Sequence, residues 1–115
     1  MDKLAQYRIW IREILEEYHS YKPANPRPFV EDQLVMDEEH DHYLLLCAGW
    51  EGEERVYGNS LHLDIKDGKI WIQRDFIDVE GGIAGELIER GVPKEDIVLA
   101  FHAPYKRPYT GYAVG

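Results

Sequence analysis

Apolar residues recur at helical spacing at the start of the chain and at strand spacing through its middle. Leu4, Tyr7, Ile11, Ile14, Leu15 and Tyr18 fall within an arc of about 100° when wound at ~3.6 residues per turn. Lys3, Gln6, Glu13, Glu16 and Glu17 lie outside that arc. The spacing predicts an amphipathic helix from about Leu4 to Ser20, with Asp2 as its N-cap. Trp10 flanks the stripe and reads as a core-edge residue. The run from Lys22 to Phe29 holds three prolines, which impose extended geometry and make it a stiff connector.

Val30–Met36 predicts a first strand, followed by an acidic turn at Asp37–Asp41. Tyr43–Trp50 is apolar at nearly every position, the pattern of a central strand covered on both faces. Glu51-Gly52-Glu53-Glu54 turns the chain back into a strand over Arg55–Lys66, interrupted by a bend or bulge at Gly58-Asn59. The most strongly specified element is the hairpin Leu61–Lys66, Asp67-Gly68, Lys69–Arg74. Asp-Gly favours a two-residue type I′ turn, which sets Ile65 against Ile70 and Leu63 against Ile72 on one face. Alternation then assigns His62, Asp64, Trp71, Gln73 and Asp75 to the opposite face.

A second helix is expected over Gly82–Arg90, with Ile83, Leu87 and Ile88 on its apolar side. Gly91 and Pro93 supply the stop, and Val92 closes the C-cap contact. Pro93–Asp96 reads as one helical turn and Ile97–Phe101 as a short buried strand. The tail from His102 carries Tyr105, Tyr109 and Tyr112. The expected architecture is a single α+β domain over residues 1–115: an N-terminal helix, a four-stranded largely antiparallel sheet, a second helix and a final short strand.

The chain has 115 residues, one ordinary domain, and 44% of them are hydrophobic. Its net charge is −9, and residues 31–54 hold nine acids with no Lys or Arg. Such a surface repels nucleic acid unless a basic patch is segregated, and the only candidate is Lys106-Arg107 in the acid-free tail. Two cations make a poor phosphate track, so strong direct nucleic-acid binding is not expected. The lone Cys47 sits in an apolar run and suits a reducing, cytoplasmic compartment. No apolar stretch approaches the length of a membrane helix, and no signal-peptide pattern opens the chain.

Three groupings invite chemistry, and each has a plainer reading. His40, Asp41 and His42 are metal-ligand types, but three ligands in three residues rarely converge on one ion, and a solvated turn accounts for them. Asp64-Ile-Lys66 has the spacing of the carboxylate–lysine half of a Mg²⁺-dependent nuclease site, a short match that a polar sheet face explains equally. Glu80-Gly-Gly-Ile-Ala-Gly85 opens the second helix and could present N–H groups to an anion, but it lacks a lysine and the full dinucleotide pattern. Neither a catalytic residue, a metal nor a cofactor is nominated. Trp71 and the tyrosine-rich tail are large amphipathic groups suited to protein contacts. For Trp71, cover by a second layer of the same chain is the equal alternative.

The wording of the sequence then becomes specific. Asp2-Lys-Leu-Ala-Gln-Tyr7, His42-Tyr-Leu-Leu-Leu46 with Gly49-Trp50, and Leu61-His-Leu-Asp-Ile-Lys-Asp-Gly-Lys-Ile-Trp-Ile-Gln73 form one set. Gly91-Val-Pro-Lys94, Asp96-Ile-Val-Leu-Ala-Phe-His-Ala-Pro-Tyr105 and Thr110-Gly-Tyr-Ala-Val-Gly115 complete it. Together they closely resemble the XisI family of fdxN element excision controlling factor proteins. The resemblance implies an accessory, non-enzymatic role in site-specific DNA excision during heterocyst differentiation, beside a separate recombinase. It also implies a companion of the XisH family, whose proteins look like nuclease-fold domains. It supplies no catalytic residues. On this reading the partner-binding residues are Trp71, His62, Gln73, Tyr105, Lys106, Arg107 and Tyr109, with a dimer of the chain as a rival use of that surface. The alternatives are a metal-dependent nuclease or nuclease subunit acting through Asp64 and Lys66, and an antitoxin-like partner restraining a nuclease.

Overall fold

Helix α1 (Lys3–Ser20) starts where the sequence places it, in a computed structural model that describes residues 2–76 and 80–115. The Asp2 carboxylate accepts from the Ala5 N–H at 2.8 Å, satisfying one of the unpaired donors of the first turn. Strands β1 (Val30–Asp37), β2 (His42–Glu51), β3 (Glu54–Lys66) and β4 (Lys69–Asp75) follow as an antiparallel meander. Helix α2 (Gly82–Arg90) then crosses back, and β5 (Ile97–Leu99) joins the same sheet parallel to β4. The sheet therefore has five strands in the order β1-β2-β3-β4-β5, rather than four with a separate final strand. β5 is also shorter than expected: the chain turns at Ala100, and Phe101 is about half exposed.

Both helices pack on one face of the sheet. Ile11, Ile14 and Leu15 of α1 and Ile83 and Leu87 of α2 are fully buried with Tyr43, Leu61, Leu63, Ile70, Ile72 and Ile97. Helix α2 ends as the sequence dictates. The Gly91 N–H donates to Leu87 and Ile88 carbonyls, the Val92 N–H donates to Leu87, and the Val92 side chain is buried in the core. Polar ties fasten α1 to the turn that precedes β5 and to α2. The Tyr7 hydroxyl donates to Asp96 and the Tyr18 hydroxyl to Glu86, both at 2.5 Å.

The Asp67-Gly68 hairpin forms with both turn residues at positive φ, 54° and 75°, and pairs Ile65 with Ile70 and Leu63 with Ile72. Two bulges modify the rest of the register. In β3 the unpaired residue is Ser60, one position beyond the expected site, so Leu61 rather than Ser60 faces Leu45. In β4 it is Gln73, so His62 pairs with Arg74 and Leu61 with Asp75. The second bulge overturns one assignment. Asp75 lies on the helix side, where its carboxylate accepts from the Ile83 N–H at 2.9 Å and caps α2. One extra residue in a strand reverses the facing of everything after it.

Cover of the opposite face by the described residues is partial, which corrects the reading of β2 as covered on both sides. Leu44 and Leu46 point away from the helices and are only half-buried, and Cys47 is also half-buried. The tail covers the β4–β5 end of this face. It makes a 3₁₀ turn at Pro104–Tyr109, then returns along β5, where the Ala113 N–H donates to the Ile97 carbonyl at 2.8 Å. No helix among the described residues is long and apolar enough to cross a membrane.

Candidate functional site on the outer sheet face

The face turned away from the helices carries a polar cluster, a covered tryptophan and an exposed aromatic patch. Its polar cluster arises from strand pairing. The Ser60 bulge shifts β3 by one position, which sets Asp64 instead of Leu63 directly opposite His42. His62 lies two residues before Asp64 and shares its face. The Asp64 Oδ1 atom is 2.7 Å from His42 Nδ1 and 2.9 Å from His62 Nε2, and Oδ2 accepts from the Gln73 amide at 3.1 Å. The hydrogen bond to Asp64 raises the His42 pKa above its ordinary value. His62 and Gln73, both anticipated from the sequence, thus meet in one network. His42 joins them through a cross-strand register that local spacing does not reveal.

The local trio His40, Asp41 and His42 disperses. His40 Nδ1 lies 2.9 Å from Asp37, and Asp41 turns to α1. The Arg8 guanidinium donates twice to Asp41, at 2.8 and 3.0 Å, and the buried Tyr43 hydroxyl donates to it at 2.7 Å. The Arg8 hydrogen bonds hold the Asp41 carboxyl below the usual carboxylate range. Asp41 therefore anchors the acidic turn to the helix layer. The pair Asp64 and Lys66 separates too: the carboxylate is taken up by His42, His62 and Gln73, while the Lys66 ammonium lies 4.5 Å from the Trp71 ring centroid. The glycine-rich entry to α2 is capped by Asp75 and flanked by Glu80, Glu86 and Glu89, surroundings that repel an anion.

Trp71 has the outward facing expected of it and is nevertheless only 9% exposed. Its indole N–H donates to the Lys66 carbonyl at 2.9 Å. The Arg107 guanidinium lies 5.5 Å from its ring centroid, and a Cβ on Gly115 would stand 3.5 Å from the ring. A second layer of the same chain thus covers Trp71. Arg107 is committed to that layer, donating to the His102 and Ala100 carbonyls at 3.0 and 3.4 Å. Lys106 remains at the surface beside Tyr105. Tyr105 and Tyr109 are 73% and 89% exposed.

Trp50, Arg55, Tyr57 and Val35 were not singled out from the sequence. Trp50 pairs with Arg55 and Ala48 with Tyr57, and the Arg55 guanidinium lies 5.5 Å from the centroids of both aromatic rings. Trp50 and Tyr57 are largely exposed, with Val35, Leu44 and Leu46 continuing the patch across β1 and β2. The available signal was the two-sided apolar character of β2, which pointed to cover that the described part of the chain does not supply.

A family model described as XisI protein matches residues 1–114. The fold is that of two solved structures from Anabaena variabilis. An XisI-like protein is 44% identical, with 97% of this chain and 99% of that chain covered and a TM-score of 0.89. The fdxN element excision controlling factor XisI is 41% identical, with 99% and 100% covered and a TM-score of 0.86. No functionally curated protein matches the chain significantly.

Proposed function

The chain belongs to the XisI family, and from that premise we propose that it is a controlling factor for excision of an fdxN-type DNA element, acting as a non-enzymatic protein partner. The single observation that supports this best is the end-to-end likeness to a protein that carries the function in its name. The outer sheet face supplies a physical basis. An exposed patch of Trp50, Tyr57, Val35 and half-buried leucines is a surface that association would bury.

The partner is an XisH-like protein of nuclease fold. A net charge of −9 favours docking to a basic DNA-handling surface over docking to DNA itself. Tyr105, Lys106 and Tyr109 contact the partner directly from the tail, with His62 and Gln73 at the polar end of the face. Trp71 and Arg107 contribute by seating the tail. The site of action is the cytoplasm, in keeping with a single unpaired cysteine.

Deleting the gene and amplifying the junction of the excised element tests the proposal in cells. The excision junction disappears in the deletion strain and returns with the wild-type chain. Normal junction formation in the deletion strain overturns the reading.

A further inference from the structure

The cluster at the polar end of the outer face has a chemistry that protein docking does not require. Two imidazole nitrogens and one carboxylate oxygen, from His42, His62 and Asp64, all lie within 4.8 Å of one another. They come from two adjacent strands whose pairing is fixed by the sheet, so their convergence does not depend on a loop. The carboxylate is the deepest member, its side chain 15% exposed, while the His62 and His42 side chains are 30% and 57% exposed. That gradient leaves the solvent side of the cluster open.

We propose that His42, His62 and Asp64 form a binding site for a divalent first-row transition metal ion of the zinc type, with at least one coordination position open on the outer face. Two imidazoles and a carboxylate suit zinc, cobalt, nickel or copper, whereas magnesium and calcium prefer oxygen ligands throughout. Zinc bonds to nitrogen and oxygen run about 2.0–2.2 Å, so tetrahedral ligand atoms stand roughly 3.3 Å apart. The two N···O separations of 2.7 and 2.9 Å are short of that by a few tenths of an ångström, an adjustment within reach of side-chain rotation.

Asp64 is also held from behind. The Gln73 amide fixes its second oxygen, the kind of outer hydrogen bond that orients a ligating carboxylate. His40 and Asp37, paired with each other, stand outside the cluster. This site goes beyond the excision role and does not rest on it.

Titration of the chelator-treated protein with Co²⁺, followed by its visible d–d absorption, and with Zn²⁺ by calorimetry, tests the site. The expected result is saturable binding at one ion per chain, with Zn²⁺ raising the melting temperature. His42→Ala and His62→Gln each weaken binding by about tenfold or more, while His40→Ala leaves it unchanged. His42 is exposed enough for its alanine variant to keep the fold, which circular dichroism verifies. Absence of saturable binding below about 100 µM metal overturns the site, as does equal affinity in the wild type and both ligand variants.

Discussion

At the scale of the residue, three positions concentrate the strain of departing from this sequence. A Cβ on Gly49 would stand 2.0 Å from the Phe29 carbonyl oxygen, where the connector enters β1 and the Trp50 N–H donates to that same oxygen. Gly49→Ala therefore forces β1 away from β2, and urea denaturation should show a loss of about 2 kcal/mol or more. Asp41 gives a pH signature. Its folded pKa lies below its unfolded value because Arg8 donates to the ionised form. The stability from this pair is present above the unfolded pKa of about 4 and is lost as pH falls through the folded value. Thermal melts from pH 6 down to pH 2 should show a steeper loss for the wild type than for Asp41→Asn, which starts less stable at neutral pH. Parallel pH profiles would remove Asp41 from this role. Trp71→Ala should cost about 3 kcal/mol and make the tail susceptible to protease, because the indole is buried beneath the tail and is the seat for Arg107. A tail that stays protected in that variant would mean that the β5 contact at Ala113 suffices.

At the scale of the element, legibility follows how locally each feature is determined. The hairpin was legible because a two-residue turn fixes the register over the next few pairs, and Leu63, Ile65, Ile70 and Ile72 alternate in phase with it. Helix α1 was legible from one apolar stripe and one cap. Asp75 was not, because the bulge at Gln73 leaves no mark in composition, yet it transfers the carboxylate to the helix side. The polar cluster was half legible. His62, Asp64 and Gln73 share a face by alternation within the hairpin, but His42 reaches Asp64 only through the Ser60 bulge. The cover over Trp71 was equally non-local, since it depends on a tail more than thirty residues downstream in sequence returning along β5. An insertion beside Ser60 that restores the other register should separate His42 from Asp64 and bring Leu63 out of the core, a change that proteolysis and loss of cooperative unfolding would report.

At the scale of the whole molecule, the sheet is sealed on one face by α1 and α2, and the described residues leave much of the other face open. The acidic segment that sets the net charge winds through β1, β2 and their turns, beside the exposed patch. On the proposed function, an acidic segment beside exposed aromatic rings would meet a basic protein partner, with charge guiding encounter and burial of the rings supplying affinity. Tyr109 separates binding from stability. At 89% exposure its replacement by Ala should change folding stability by no more than about 0.5 kcal/mol. The same change should weaken the complex by about 1–2 kcal/mol if the tail is part of the interface. Co-expression of this chain with the XisH-like protein of its own host, followed by size-exclusion chromatography with light scattering, tests whether the two proteins form a complex. The expected result is one species of fixed stoichiometry, whose formation is weakened by Trp50→Ala and by Tyr109→Ala. Separate elution of the two proteins at about 10 µM, with this chain as a monomer or self-dimer, would contradict it.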